Sequence, residues 1–500
     1  MNPSLTPGCD GMSQRPRPAL LITILCLCGT VTSLQQTLVV PLLPEFPRLL
    51  DTTVDNASWL VTATLLSGAV ATPVASRLAD MFGKRRMMVT CLILMIGGSV
   101  LGALGSGLPY TIAARVLQGV GMALIPIATA VMRDTLPASR LPVGVALMSA
   151  TLAIGAGGGL PLAGYVAEHL PWRTLFWITA GAGTVMLAAV LLIVPESRVR
   201  TLGSFDYLGA LLLSTALTAL LLALSKGGEW GWGSAATVLS AIGGMVTLLL
   251  WLPLALRVRN PLIDVRVATR PAVLAVNIAA VLTGFGMFAN MLVTTQLLQL
   301  PTITGFGLGL DMVTTGVLLA PTALVFGAFA PISAVMTRRF GAHITLLIGT
   351  LSMGVAYVAR VFLNHDVWQI MAGALLVSVG TSLAFGAMPA LLMRVVPVTE
   401  TASANGLNTL LRSVGTSTSS AVIAATTTIA VHQVGGRTYP TLTAFTSVLW
   451  VAGAACVLAG LVVLPLAWRR DLLESMDDSP EIPGSDVSAT QPPAGSSRTV

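Results

Sequence analysis

What most limits the folding of this chain is the length of its apolar runs. A hydrocarbon layer about 30 Å thick takes roughly 20 helical residues to cross. Stretches of that length recur fourteen times between charged or Gly/Pro-rich punctuation: 20–43, 56–76, 87–106, 110–132, 142–167, 174–194, 206–225, 234–256, 272–295, 312–335, 343–363, 367–392, 403–431 and 441–467. In lipid a backbone is satisfied only as helices or as a closed barrel, and runs this long without period-two alternation exclude the barrel. Charged residues make up 9% of the 500, against about a quarter in soluble domains, so a soluble enzyme and a disordered chain are both excluded. The expected fold class is all-α integral membrane with 14 transmembrane helices.

The net charge of +7 could suggest a nucleic-acid partner until the basic residues are placed. With the N-terminus in the cytoplasm, twenty Lys and Arg fall on the inner side; only Arg48, Arg173, Lys226, Arg360 and Arg437 fall outside, and Arg115 and Arg412 lie within helices. That bias puts both termini in the cytoplasm and makes the charge a topology signal, with membrane lipid rather than nucleic acid as the partner. The first run lacks a small-residue cleavage site and reads as a retained helix. Cys9, Cys26, Cys28, Cys91 and Cys456 show no metal spacing, and Cys26-x-Cys28 reads as packing. Residues 1–19 and 468–500 read as cytoplasmic tails, the second acidic and then rich in Ser, Pro and Gly, and disordered.

A weak repeat organises the rest. Ser76-Arg-Leu-Ala-Asp-Met-Phe-Gly-Lys-Arg-Arg86 has a counterpart in Met336-Thr-Arg-Arg-Phe-Gly-Ala-His343, each read as the loop after the second helix of a six-helix set. The helices thus divide 6+2+6: an N-terminal bundle at 20–194, an inserted hairpin at 206–256 and a C-terminal bundle at 272–467. Paired halves of this kind are how many secondary transporters are built, with a midplane site and alternating access.

Three segments carry chemistry. In the Ser76–Arg86 loop, Gly83 allows a tight reversal and Asp80 can accept hydrogen bonds at a helix end, although a plain basic topology loop would look similar. In the fourth helix stands Arg115-Val-Leu-Gln118-Gly119-Val-Gly121. An Arg at membrane depth costs several kcal/mol unless it faces a cavity, finds a partner or snorkels to the interface. In the fifth helix Gly155, Gly159 and Gly164 with Pro161 permit close helix approach, which packing alone would justify.

These residues resemble the major facilitator superfamily. Its loop pattern G-x-L-A-D-x-x-G-[RK]-[RK] is matched except for Ser76 in place of the first Gly. Its helix-four pattern R-x-x-Q-G-x-G is matched by Arg115, Gln118, Gly119 and Gly121. Its antiporter signature resembles the Gly155–Gly164 segment, with the Pro displaced by one and Ala163 for a Gly. Phe205-Asp206-Tyr-Leu-Gly209, Trp230-Gly231-Trp232, Pro261-Leu-Ile-Asp264 and Ala404-Asn405-Gly406-Leu-Asn408 with Arg412 resemble the fourteen-helix drug:proton antiporter branch. The resemblance implies a two-bundle exporter of drugs or other amphipathic organic compounds, energised by the proton gradient with no cofactor or metal, in the plasma (inner) membrane and with no need to oligomerise. It implies gating by Asp80, Gly83 and Arg85, and transport or coupling roles for Arg115, Gln118, Gln35, Arg412, Asn405 and Asn408.

One departure matters. Where that branch has L-D-x-T in helix 1, this chain has Leu34-Gln35-Gln36-Thr37, and none of its twenty acidic residues falls near a helix centre. Gln cannot titrate, so either coupling uses an end-placed acid such as Asp80, Asp134, Glu45 or Asp311, or the substrate is neutral or anionic and meets Arg115 and Arg412. A permease or exporter of a neutral or anionic metabolite on the same fold stays open. A membrane-embedded transferase is set aside, because His169, His343, His365 and His432 sit at loops or helix ends without a nucleophile or metal constellation.

Overall fold

The computed structural model describes residues 18–39, 42, 43, 45–197, 199–201, 203–434 and 437–468. The tail readings at 1–17 and 469–500 lie outside the described residues. Six long helices come first: α1 (Pro18–Thr37), α2 (Val54–Phe82), α3 (Lys84–Leu104), α4 (Leu108–Thr135, with a 3-10 turn at Val120–Ala123), α5 (Leu141–His169) and α6 (Thr174–Ile193). A hairpin of α7 (Tyr207–Trp230) and α8 (Ala235–Arg257) follows. Then come α9 (Pro271–Gln299), α10 (Met312–Phe340), α11 (Ala342–Phe362), α12 (Val367–Val395), α13 (Thr401–Ile429) and α14 (Leu442–Trp468). Two one-turn helices, Phe46–Leu49 and Val265–Ala268, are left unnumbered. A small antiparallel ribbon, β1 (Val431–Val434) and β2 (Arg437–Pro440), joins α13 to α14 where the sequence suggested only helix and loop.

Thirteen of these helices are long and apolar enough to cross a membrane. The exception is α13, which has the length but carries Thr, Ser and Asn along its body and packs against α2 and α9. A helix flanked by protein tolerates such residues, which is why apolarity alone does not register it as a span. Helix α1 stops at Thr37 rather than 43. The chain ahead holds Pro41 and Pro44, and a proline also disfavours helix in the residue before it.

The segment Ser76–Arg86 is not a loop. Helix α2 runs through Phe82, α3 begins at Lys84, and Gly83 alone separates them, with φ 116°. The counterpart is built the same way, with Gly341 alone between Phe340 and Ala342 at φ 91°. Each glycine N–H donates to the carbonyl four residues back, Ala79 and Thr337 respectively. The repeat seen in the sequence is thus a repeated left-handed glycine joint, which a side chain would strain.

The two bundles meet along two seams. In one, α2 faces α13; in the other, α5 faces α10. Small residues make both possible. A Cβ on Gly406 would lie 2.6 Å from Ser76 Oγ, and one on Gly157 would lie 2.6 Å from Ala323. Ala146, Ala150, Ala330 and Ala334 form a buried alanine cluster in the second seam. The hairpin lies against the first: α7 touches both α2 and α13. Its start explains the Phe205–Gly209 motif, because the Asp206 carboxylate accepts from the Gly209 N–H at 2.8 Å and a Cβ at Gly209 would sit 2.0 Å from Asp206 Oδ2.

Candidate functional site

Three polar constellations stand inside the helices. The first is centred on Arg115, 1% exposed, which places it in the interior rather than at an interface. Its Nε donates to Leu60 O at 3.0 Å, and its Nη1 donates to Gln35 O at 3.0 Å and to Gln118 Oε1 at 2.8 Å. Gln118 Nε2 donates to Ser99 Oγ at 2.9 Å, and Gln35 Nε2 to Gln118 O at 2.7 Å. Thr179 Oγ1 donates to Ser99 Oγ at 3.1 Å. Helices α1, α2, α3, α4 and α6 are thereby tied to one guanidinium. A small recess beside it, with room for about one water, is lined by Gln35, Arg115, Gln118, Phe176 and Thr179 among others, all of them N-terminal bundle residues. The structure therefore unites Gln35, Arg115 and Gln118, but within one bundle and not on the seam between the two.

The second constellation lies at the Gly83 end. Asp80, fully buried, caps the N-terminus of α13: Oδ1 accepts from Ala402 N–H at 3.2 Å, and Oδ2 from Ser403 N–H at 2.8 Å and Ser403 Oγ at 2.7 Å. A carboxylate there also meets the positive end of the helix dipole. Arg133 crosses the same seam, donating to Val396 O at 3.0 Å and to Thr401 Oγ1 at 2.6 Å. Thr201 adds a strap, its N–H on Asp80 O at 2.8 Å and its hydroxyl on Thr399 O at 2.8 Å. Behind it Lys84 and Asp134 form a buried ion pair at 2.5 Å, with Ser197 Oγ donating to the same carboxylate oxygen.

Arg85, expected as part of this gate, instead donates to Leu191 O of α6 and stays within its own bundle. Arg133 is the guanidinium that crosses. The sequence grouped it with the topology residues, because one helical position decides whether a basic residue at a span end points to lipid or to the seam. Beside this region Glu400 and Asp264 line a small pocket with Val267, Ser403 and Leu407. Burial, followed by the nearby Asp264 charge, pushes the Glu400 carboxyl above the usual range, with Arg77 and Arg270 opposing.

The third constellation surrounds Arg412, the twelfth of 29 residues in α13. Its guanidinium carbon lies 4.8 Å from the Phe385 ring centroid. Asn405 and Asn408 do not join it. Asn405 Nδ2 donates to Thr401 O of its own helix, and Asn408 Nδ2 reaches Asn277 Oδ1 of α9 at 3.3 Å. In α5, Gly155 and Gly159 do bring helices together, since Cβ atoms there would lie 2.4 Å from Ser33 Cβ and 2.0 Å from Thr37 Oγ1 of α1. A Cβ on Gly164 would meet nothing within 4 Å, so that glycine packs against no neighbour.

Two basic residues expected in outer loops are buried. Lys226, 1% exposed, belongs to α7; it bonds Ser58 Oγ and Glu229 Oε2 and lies 5.1 Å from the Trp59 ring centroid. Arg360, 2% exposed, donates to Asn290 Oδ1 and to Thr294 Oγ1, the latter at 2.8 Å. A signal for Arg360 existed: it continues the buried stripe Leu346, Met353, Tyr357 at helical spacing.

Two helical bundles abutting along paired seams, with polar groups held inside and a glycine joint repeated in each half, are the architecture of a membrane transporter. The sequence profile of the Major Facilitator Superfamily matches residues 25–420 and 276–481, and the chain belongs to that superfamily. Among curated relatives, "Multidrug resistance protein Stp" of Mycobacterium tuberculosis is 26% identical over 76% of this chain and 70% of its own length. The "Tetracenomycin C resistance and export protein" of Streptomyces glaucescens is 28% identical over 68% and 62%. The chain spans about half the length (49%) of another M. tuberculosis relative, the uncharacterized MFS-type transporter Rv1877. The crystal structure of the human organic anion transporter MFSD10 superimposes with a TM-score of 0.63 over 90% of this chain and 100% of that one, at 14% identity, which shows the fold alone.

Proposed function

We propose that this transporter exports amphipathic organic compounds across the cytoplasmic membrane by proton antiport, with alternating access, fourteen spans and both termini in the cytoplasm. The observation that carries the reading is the Asp80 cap on α13 with the Arg133 crossing beside it. Both are side-chain-to-helix-end contacts that close one end of the seam and can be broken without disturbing either bundle. The names borne by Stp and the tetracenomycin exporter support the choice of organic compounds as cargo.

Acids within the long helices occur only in first or last turns: Asp55, Asp80, Asp134, Glu168 and Glu229. Coupling therefore falls to an end-placed group, and Asp80 is the one whose neutralisation would weaken a contact between the bundles. The test is a dye and antibiotic panel in everted vesicles. Respiration-driven uptake abolished by an uncoupler is expected. Absence of energised uptake for every compound, or uptake indifferent to the uncoupler, refutes the reading.

A further inference from the structure

Among the described residues the long helices hold three inward guanidiniums away from the Asp80 end, Arg115, Arg360 and Arg412, and they are not equivalent. Arg115 is met by three neutral oxygens and Arg360 by two. Among the described residues no oxygen accepts a hydrogen bond from Arg412. Its contact is the face of Phe385. It is only half-buried, and it stands nearer the middle of its helix than any other charged residue of the long helices. An Arg at such depth costs too much to be left with idle donors unless it faces water or an anion.

The surroundings of Arg412 are built. A Cβ on Gly284 would lie 2.5 Å from the Arg412 carbonyl, so the backbone of α13 is held tightly against α9. Phe385 is fixed from both bundles: its carbonyl accepts from Ser149 Oγ of α5 at 2.8 Å, and Phe326 of α10 packs edge-on to its ring, with centroids 6.1 Å apart at 81°. Phe326 is held in turn, its carbonyl accepting from Ser382 Oγ at 2.6 Å. A charged fork therefore lies over an aromatic platform where α5 of one bundle meets α10 and α12 of the other, and that junction is where an alternating-access carrier places cargo.

We propose that Arg412, backed by Phe385 and Phe326, is the subsite for the anionic group of the cargo, and that the transported class is organic anions such as carboxylates or sulfonates. The proposal deepens the export reading and rests on it. A guanidinium binds a carboxylate or sulfonate through two parallel N–H donors, and the buried phenyl pair, with Phe385 0% and Phe326 6% exposed, backs the fork and holds it in place. No carboxylate within the long helices lies outside the end turns, where it would repel such a ligand. Export of an anion from a negative interior also gains roughly 50-fold in accumulation per 100 mV, which removes the need for a mid-membrane acid to supply all the drive.

The test uses purified full-length protein in liposomes under a potassium diffusion potential, with fluorescein as the anionic probe and ethidium as the cationic one. The wild-type protein moves fluorescein saturably. Arg412→Gln lowers the ratio of fluorescein to ethidium transport at least tenfold. Arg412→Lys, which keeps the charge but loses the fork, raises the KM for fluorescein about tenfold with little change in maximal rate. An unchanged ratio in Arg412→Gln overturns the proposal. If that variant does not reach the membrane, an unchanged KM in Arg412→Lys overturns it. Wild-type transport of ethidium without fluorescein overturns the anion subsite and leaves the export reading intact; transport of neither probe overturns both.

Discussion

Replacing Asp80 by Asn tests the Gly83-end closure most directly. The carboxylate accepts three hydrogen bonds from the start of α13, two from backbone N–H groups and one from Ser403. Asn keeps one acceptor oxygen and turns the other into a donor facing donors. It also removes the charge that meets the helix dipole, worth about 0.3–2 kcal/mol depending on burial. Charge-assisted bonds are roughly twice as strong as neutral ones. With Thr201 and Arg133 left in place, the closed seam should lose on the order of 2–3 kcal/mol relative to the open one, or ~30- to 150-fold in the closed-to-open ratio. Nitroxide labels at the exposed Ser139 and Arg394, one in each bundle, report that ratio as a distance distribution in double electron–electron resonance. Asp80→Asn should move most of the population to longer distances. Ser403→Ala, which removes a single donor, should move it only slightly. A distribution unchanged by Asp80→Asn would refute the claim that this cap holds the bundles together.

Other consequences follow from the same geometry. Arg115→Met strands three buried oxygens that now accept from the guanidinium; at about 1 kcal/mol or more each, the detergent melting temperature should fall by several degrees, and an unchanged melt would argue that Arg115 serves the cargo and not the bundle. Gly83→Ala forces a side chain into a φ of 116° and to within 2.5 Å of a Glu196 carboxylate oxygen; a loss of at least 1–2 kcal/mol is expected in urea unfolding, and a neutral result would refute the strain. The raised Glu400 pKa means the native state holds this proton more tightly than the unfolded chain. Native stability from that group is therefore largest below the ordinary glutamate range and declines as pH rises through the raised value. Melting temperatures of Glu400→Gln measured between pH 4 and 8 should lack that component, and curves parallel to the wild type would show that Glu400 is not its source.

Much of the architecture was legible because its cause is local. The long helices and their spacing follow from run length, thirteen of them apolar enough to span a membrane, and the joint Phe-Gly could be read twice because a positive φ demands glycine in each copy. The Asp80 segment was located correctly but misread as a loop, since a helix broken by one residue leaves no polar stretch in the sequence. Helix α13 shows the opposite effect: its polar composition made its role in the seam legible while weakening the hydropathy that marks a span. Arg85 bonds within its own bundle and Arg133 bonds across the seam, a difference the sequence hid because both stand at span ends with similar local chemistry and only the rotation of each helix distinguishes them.

The sequence alone determined that this chain crosses a membrane repeatedly and turns twice at a Phe-Gly joint, since burial of apolar length and the conformational limits of glycine and proline are properties of short segments. Tertiary structure decided which groups each interior charge meets. Gln35, Arg115 and Gln118 are partners within one bundle, Asp80 is a cap on a helix more than three hundred residues away, and Arg412 rests on an aromatic ring with no hydrogen-bond acceptor among the described residues. These outcomes depend on which groups approach within about 3 Å, and that is set by how helices rotate and pack against one another.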